Sequence, residues 1–218
     1  MTMAESHAPV APGEPAPDFT LAALDGKDSI SLSAYRGRSS VFLALMRGLW
    51  CPFCRRAIAQ MASTDTKLKA LGVESVGVVA TTPENARLYF KFRPTRLRLG
   101  ADPELLTHRA FRLPKPPATP ELMEAVGALR VNPLGELPEP LPVKDAAVAA
   151  GKFDGYTEND TDHADMEQQF GLLKGQFLID REGIVRWANV ECAKEGLPGI
   201  GKFPSEEEIL AAAHALTR

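Results

Sequence analysis

Cysteine is scarce in this chain, whose 218 residues include 3 of them: Cys51, Cys54 and Cys192. So few cysteines exclude the dense disulfide framework of a small secreted domain. Zinc needs four ligands, but no second Cys or His pair at short spacing is present, and the four histidines are scattered. The sequence therefore predicts no metal site and no cofactor.

Long apolar runs, a strong charge imbalance and a leader-like start are also missing. No apolar run reaches the length of a membrane span, so we expect no transmembrane helix. A net charge of -3 and a pI near 5.9 give no reason to expect nucleic acid binding. Residues 1–7 contain neither a basic region nor an apolar region, which favours a cytoplasmic protein over a secreted one.

The order of apolar segments and turns predicts an α/β fold. Alternating residues on both sides of Asp25-Gly26 predict an N-terminal β-hairpin. The run 41–46 is apolar throughout, as in a strand buried on both faces of a parallel sheet. Helical spacing follows to about residue 71, and then come a strand over 73–80 and a helix over 83–92. This succession predicts a βαβ unit.

The second half of the chain predicts the rest of the sheet and a closing helix. A short strand is expected at 97–100 and a helix at 103–111. The sheet resumes at 176–180, returns over 184–190 after a hairpin turn, and is followed by an amphipathic helix over 204–216.

Prolines interrupt this pattern in residues 112–165. We expect residues 1–12 to be flexible and residues 13–218 to form a single domain, with 112–165 as an insertion that holds two short helices. The insertion either covers or borders the active site or is a surface excursion without a role, and the sequence leaves both interpretations open.

The segment with most chemical content is Trp50-Cys51-Pro52-Phe53-Cys54, where the predicted strand meets the predicted helix. Two thiols at this spacing can cycle between a dithiol and a disulfide, and the helix dipole favours the reactive thiolate. The first cysteine lies at the helix start, where we expect its sulfur to face solvent. We therefore predict Cys51 as the nucleophile and Cys54 as the resolving thiol.

Three neighbours of the pair are predicted to shape its environment. Arg47 and Arg55 bring positive charge that would lower a thiol pKa, although one of Arg55 and Arg56 is expected to point to solvent. Trp50 is predicted to form a wall beside the sulfur. Cys192 follows a predicted strand, where it serves either as a third redox thiol or as a small buried hydrophobe.

Four segments of the chain resemble the peroxiredoxins in content and in order. They are Gly13-x-Pro15-Ala16-Pro17-Asp18-Phe19, Leu32-Ser33-x-Tyr35-Arg36-Gly37, Trp50-Cys51-Pro52-Phe53-Cys54 and Phe177-Leu178-Ile179-Asp180-Arg181-Glu182-Gly183. Within that superfamily the chain is similar to the peroxiredoxin-like group of AhpC/TSA type that carries a thioredoxin-style CxxC. The resemblance implies a thioredoxin fold and thiol chemistry on peroxides or disulfides.

The chain departs from the peroxiredoxin motif Pro-x-x-x-Thr-x-x-Cys. If Cys54 takes the peroxidatic place, Cys51 stands in place of the Thr and Arg47 in place of the Pro. If Cys51 takes it, Gly48 replaces the Thr and Ala44 replaces the Pro. The resemblance alone favours Cys54 as the nucleophile, whereas the helix geometry favours Cys51.

Lys174 stands where peroxiredoxins carry an Arg before the later strand, so a cation is kept without the fork of a guanidinium. With hydroxyl and guanidinium both missing, we expect peroxide reduction to be slower than with the full motif. Relative to dedicated enzymes, reduction of a model disulfide is expected to survive better than reduction of hydrogen peroxide, because the leaving group of disulfide exchange is a thiolate.

Three functions remain open from the sequence. The first is an enzyme, a thiol peroxidase or disulfide reductase that cycles Cys51 and Cys54 and is restored by an external dithiol reductant, thioredoxin-like or glutathione. The second is a redox sensor or binding module without turnover. The third is a metal or iron–sulfur site that two CxxC pairs bridge across a dimer. A homodimer is also an expected assembly for the enzyme.

Overall fold

A computed structural model describes residues 8–26 and 29–216. Within these residues a seven-stranded sheet has the order β2-β1-β5-β4-β3-β8-β9, and β6 and β7 form a separate two-stranded ribbon. The strands are β1 (Thr20–Ala23), β2 (Ser29–Ser31), β3 (Ser40–Met46), β4 (Val73–Val79), β5 (Arg98–Ala101), β6 (Arg130–Val131), β7 (Leu141–Pro142), β8 (Gly175–Ile179) and β9 (Val185–Val190).

Helices pack around this sheet and fill the connections. They are α1 (Pro52–Ala70), α2 (Pro83–Phe92), α3 (Leu106–Ala110), α4 (Pro120–Gly127), α5 (Val143–Lys152), α6 (Asp160–Gln169) and α7 (Glu206–Ala215), with short 3-10 turns at Leu32–Tyr35 and Leu197–Gly199. In the described part of the chain, no helix has both the length and the apolar character that crossing a bilayer requires.

The strand directions confirm the predicted α/β class. β3, β4 and β5 are parallel, and α1 and α2 provide the crossovers between them. β1 and β2 form the predicted N-terminal hairpin, in which Thr20 pairs with Ser31. The turn of this hairpin includes residues 27 and 28, which lie outside the described part of the chain. β8 and β9 run antiparallel on the other side of β3.

The uniform apolar character of β3 follows from burial on both faces of the sheet. Phe42, Ala44 and Met46 belong to the core beneath the helices that include α1. The alternate residues Val41, Leu43 and Leu45 belong to a second core on the opposite face. Successive strand residues point to opposite faces, so a strand covered on both faces needs apolar side chains at every position.

Helix α1 starts and stops at residues suited to those positions. Cys51 is the N-cap, with an extended backbone, and Pro52 is the first helical residue, where a missing N–H leaves no hydrogen bond unmade. Gly72 follows the helix with a φ of 73°, which glycine adopts without strain. The helix therefore begins between the two cysteines of the motif.

Helix α3 is shorter than the predicted helix over 103–111. Its N-cap is Leu105, with φ of 57°, and both carboxylate oxygens of Asp102 accept backbone hydrogen bonds from Leu106 and Thr107. The capping carboxylate places the helix start at Leu106, because it satisfies amide groups that have no partner within the helix.

The segment 112–165 lies against the first turns of α1. Arg55 pairs with Asp154 at 2.7 Å, and Arg56 pairs with Glu136 at 2.7 Å. A Cβ added at Gly151 of α5 would lie 3.6 Å from Arg55 Nη2. The insertion thus borders the helix start that carries the cysteine pair.

The predicted flexible segment 1–12 falls partly outside the described residues, because residues 1–7 are not described. Of the remainder, Val10 is buried, and its N–H donates to the carbonyl of Phe111 at 3.2 Å. Gly13 then donates to Val185, so the chain is joined to β9 from this point.

Candidate active site

The sheet brings three charged residues that are distant in sequence to one edge. Arg47 follows the end of β3. β8 runs antiparallel to β3, so its first residues lie beside the end of β3, and Lys174 directly precedes them. β9 returns antiparallel to β8, so Glu191, directly after β9, arrives at the same edge. The CxxC motif begins α1 at this edge.

The two cysteines of the motif are both buried. Cys51 is 2% exposed and Cys54 is 1% exposed, and both are free thiols. The prediction that the sulfur of Cys51 faces solvent is therefore wrong. The reason is that both cysteines belong to a buried core cluster, which also includes Val131 and Leu137 of the insertion.

Arg47 contacts the sulfur of Cys51. Its Nη1 donates to Cys51 Sγ at 3.7 Å, its Nε donates to the carbonyl of Leu172 at 2.6 Å, and its Nη2 donates to Glu191 at 2.5 Å. A guanidinium, which this chain lacks at position 174, is thus present beside the sulfur, but it comes from the loop after β3.

Lys174 and Glu191 form the rest of this buried charge cluster. The Nζ of Lys174 donates to the carbonyl of Gly201 at 2.6 Å and lies 3.9 Å from Glu191 Oε1. Both side chains are fully buried. Burial raises the pKa of Glu191, but the charges of Arg47 and Lys174 and two backbone N–H donors outweigh that effect. The net pKa lies below its usual value, so the carboxylate is ionised.

The cluster lowers the pKa of one cysteine and leaves the other protonated. Burial raises the pKa of Cys51, but a hydrogen bond from the Cys54 thiol and the charges of Arg47 and Lys174 outweigh it and lower this pKa to about 5. Burial and the adjoining Cys51 sulfur raise the pKa of Cys54 well above its usual range. A Cys51 thiolate beside a Cys54 thiol is the favoured state at neutral pH.

Trp50 belongs to a hydrogen-bonded loop next to the cysteine pair. Its indole Nε1 donates to Gln169 Oε1 at 2.9 Å, and the N–H of Gly48 donates to the same oxygen at 2.6 Å. The Gln169 amide in turn donates to the carbonyl of Ala80 at 2.5 Å. Gln169, at the end of α6, therefore fixes the loop between Arg47 and Cys51.

If Cys51 takes the peroxidatic place, the peroxiredoxin motif puts a threonine at position 48, where the structure has no room for one. A Cβ at this position would lie 2.9 Å from the carbonyl oxygen of Ala80 and 2.9 Å from Trp50 Cδ1. Real Cβ atoms do not approach backbone oxygens so closely, so the loop would have to move. The missing hydroxyl is thus a consequence of tight packing between this loop and the end of β4.

We expect Gly48→Ala to lower the free energy of unfolding by about 1–3 kcal/mol, as overpacking of a filled site does. Chemical denaturation measures the change. Gly127→Ala is the matched control, because a Cβ there meets nothing within 4 Å, and that variant should be neutral or slightly stabilised. Equal stability of the two variants would contradict the packing argument.

The Arg55 side chain, which was predicted to lie in the thiolate environment, makes its hydrogen bonds away from the cysteine sulfurs, although its backbone N–H donates to the carbonyl of Cys51 at 3.1 Å. Its Nη1 donates to the carbonyl of Leu49 at 2.5 Å, its Nε pairs with Asp154, and its guanidinium lies 4.9 Å from the ring centroid of Tyr156. Arg55 therefore joins α1 to the insertion. Its neighbour Arg56 also pairs with the insertion rather than pointing freely to solvent.

Cys192 lies beside the cluster but has the opposite electrostatics. Burial and the carboxylate of Glu191 raise its pKa to about 11. Its backbone has a φ of 64°, and it is only partly exposed. Such a thiol is a poor nucleophile at neutral pH, which favours the reading of Cys192 as a small packing residue.

Sequence reasoning missed Glu191 and Gln169. Neither belongs to a motif, and each acts on residues more than a hundred positions away. The one available signal was the position of Glu191 directly after the predicted strand 184–190. That strand pairs with the strand that Lys174 precedes, so the two charged residues lie at the same edge of the sheet. Within residues 8–26 and 29–216, no three His, Cys, Asp or Glu side chains are grouped as a metal site requires.

Comparisons with known proteins agree with this geometry. Residues 12–188 match the AhpC/TSA family. Among solved structures, peroxidoxin BcpB from Mycobacterium tuberculosis superposes with a TM-score of 0.57 at 13% identity, covering 95% of this chain and 98% of that chain. The mitochondrial 2-cys peroxiredoxin from Plasmodium falciparum has a TM-score of 0.56 at 15% identity, covering 94% and 93%.

A third similar structure is a proposed thiol:disulfide interchange protein, DsbE, from Chlorobium tepidum, with a TM-score of 0.54 at 20% identity, covering 96% of this chain and 99% of that chain. No curated protein matches the sequence. These structural likenesses show the shared thioredoxin fold, and the family match supports a thiol-dependent redox function. Because the match spans most of its length, this chain belongs to the AhpC/TSA family.

Proposed function

We propose that this protein is a thiol peroxidase, an enzyme that reduces small hydroperoxides by cycling Cys51 and Cys54 between dithiol and disulfide. The observation that carries the proposal is the 3.7 Å contact between Arg47 Nη1 and Cys51 Sγ. A guanidinium there stabilises the thiolate and can also stabilise the negative charge that develops on the leaving oxygen. The burial of Cys51 favours a small substrate.

The reaction requires both thiols and an external reductant. The Cys51 thiolate attacks one peroxide oxygen, so an S–O bond forms, the O–O bond breaks, and the leaving oxygen takes a proton to become an alcohol or water. The Cys54 thiol then attacks the Cys51 sulfur, which forms the disulfide and releases water. A dithiol donor, thioredoxin-like, or two molecules of glutathione would restore the pair and be oxidised in turn.

Disulfide reduction is the second candidate, and the helix start favours it. A thiolate at an N-cap with its resolving thiol one turn away can attack a disulfide, form a mixed disulfide and release it through Cys54. This reaction needs no hydroxyl at position 48. It does need a larger opening above Cys51, because a disulfide brings more atoms to the sulfur than a peroxide does.

Stopped-flow oxidation of the reduced protein separates the two candidates. Hydrogen peroxide, an organic hydroperoxide and a model disulfide are compared, each followed by turnover with a dithiol donor. We expect the peroxides to oxidise the protein faster than the disulfide and to be turned over. Faster oxidation by the disulfide would favour the second candidate, and oxidation without turnover would favour a redox sensor.

We expect mild peroxide treatment to yield an intramolecular Cys51–Cys54 disulfide. The Cys54 thiol lies close enough to the Cys51 sulfur to lower the pKa of Cys51, whereas the raised pKa of Cys192 makes it a slow competitor. Peptide mapping without reduction measures the linkage, with Cys192→Ser as the control variant. A dominant bond to Cys192, or between two chains, would contradict this assignment.

A further inference from the structure

Glu191 is a buried carboxylate that belongs to no recognised motif of this chain. We infer that Glu191 is a positioning residue: it holds the Arg47 guanidinium in the orientation that directs Nη1 at Cys51 Sγ. The importance of this role for turnover rests on the proposed function, but the contacts that define it involve no substrate.

The argument begins with how the Arg47 nitrogens are used. Each of the three has a different partner: Nε meets the carbonyl of Leu172, Nη2 meets Glu191, and Nη1 meets the sulfur of Cys51. A guanidinium is planar, so two fixed nitrogens determine where the third one points. Leu172 and Glu191 therefore set the direction of Nη1.

Glu191 is itself held firmly enough to serve as an anchor. Its Oε2 accepts from the backbone N–H of Lys174 at 3.0 Å, and its Oε1 accepts from the N–H of Gly201 at 2.5 Å. Its own backbone N–H donates to the carbonyl of Lys174 at 3.0 Å. The carboxylate is thus held by Lys174, which directly precedes β8, and by Gly201 in the segment after β9.

The charges at this edge require such an anchor. The groups that influence Cys51 are the cations of Arg47 and Lys174, the Cys54 thiol and, through both cations, the Glu191 carboxylate. Glu191 and a Cys51 thiolate together balance the two cations. Without a fixed acceptor for Nη2, the Arg47 guanidinium would be free to turn away from the thiolate.

The placement of the Glu191 carboxylate and its charge can be tested separately, because they predict opposite changes in the pKa of Cys51. If Glu191 acted only through its charge, its removal would favour the thiolate and lower the pKa of Cys51. If Glu191 acts by placement, moving the carboxylate while keeping its charge draws Arg47 away from the sulfur. The pKa of Cys51 would then rise.

The test compares Glu191→Asp with Glu191→Gln in the reduced full-length protein without substrate. Thiolate ultraviolet absorbance is followed against pH, and the step below neutral pH belongs to Cys51, because the pKa values of Cys54 and Cys192 are raised. We expect Glu191→Asp to raise the pKa of Cys51 by about one unit, since an opposite charge at contact distance accounts for about one to three units.

Glu191→Gln should leave the pKa of Cys51 unchanged or lower it, because the amide oxygen still reaches Arg47 Nη2 and a negative charge is gone. If Cys51 in Glu191→Asp had the same pKa as in the wild-type protein, the inference would be overturned. A pKa in Glu191→Gln raised as much as in Glu191→Asp would also overturn it. Glu195→Asp is the matched control, since Glu195 is exposed and pairs with Lys202, and it should titrate as the wild type does.

Arg47→Lys makes the same test from the other side if Glu191→Asp does not fold. One ammonium cannot keep the contacts of a fork to both Glu191 and the sulfur. We expect a similar rise in the pKa of Cys51, and a wild-type titration would overturn the inference. Failure of the wild-type protein to turn over peroxide would reject the proposed function without touching this result.

Discussion

Replacing Cys51 with serine is expected to abolish peroxide reduction, lowering turnover on the order of 10³-fold or more, to the uncatalysed background. The reason is that Cys51 is the thiol that the cluster ionises, with its pKa lowered to about 5, while the pKa of Cys54 is raised. A serine hydroxyl stays protonated at neutral pH and cannot replace the thiolate. Consumption of hydrogen peroxide with a dithiol donor measures the loss.

Cys54→Ser separates the two steps of the cycle. This variant should keep rapid oxidation of Cys51 in a single turnover but lose the disulfide that resolves it. Its Cys51 pKa should also rise, because the hydrogen bond from the Cys54 thiol is one of the contacts that lower it. Cys192→Ser is the control and should behave as the wild type. If Cys51→Ser kept the fast thiol and Cys54→Ser lost it, the roles would be reversed, as the peroxiredoxin motif suggests.

Local sequence patterns predicted the parts of the fold that depend on burial and turns. The uniformly apolar run 41–46 predicted a strand covered on both faces, and β3 has this environment. The Asp25-Gly26 turn between alternating residues predicted the N-terminal hairpin. Both patterns depend on neighbours close in sequence, so the chain alone was sufficient to recognise them.

The charge cluster was only half visible in the sequence. Arg47 lies four residues before Cys51, and the resemblance to peroxiredoxins singled out Lys174. Glu191 was missed because its contact with Arg47 depends on the strand order β3-β8-β9. That order brings the end of β3, the start of β8 and the end of β9 to one edge of the sheet. Propensity and spacing carry no information on that order, and the burial of Cys51 likewise depends on a core assembled from residues distant in sequence.

Arg47→Met is expected to slow the oxidation of Cys51 by hydrogen peroxide at every pH, for two separable reasons. Methionine keeps much of the buried volume but removes the donor to the sulfur. On the high-pH plateau, where Cys51 is fully ionised, the loss reflects charge stabilisation on the leaving oxygen alone. Removing one such donor lowers rates by about 10² to 10³.

The second reason acts only on the acidic side. Arg47 is one of the charges that lower the pKa of Cys51, so this pKa should rise in Arg47→Met. The wild-type rate should fall only as pH drops through about 5, whereas the variant rate should begin to fall at higher pH. The deficit is therefore larger in mildly acidic buffer than on the plateau, by about tenfold for each unit of pKa change.

A pH profile of the single-turnover rate, measured by stopped flow on folded protein, distinguishes the two contributions. Arg56→Met is the matched control, because it also removes a guanidinium near the start of α1. The Arg56 guanidinium pairs with Glu136 and does not contact the Cys51 sulfur. That variant should keep the wild-type plateau and the wild-type acid limb. If Arg47→Met kept both as well, Arg47 would serve only to hold the loop after β3 to Leu172 and Glu191. A shifted acid limb with an unchanged plateau would mean that the guanidinium prepares the thiolate and takes no part in cleaving the O–O bond.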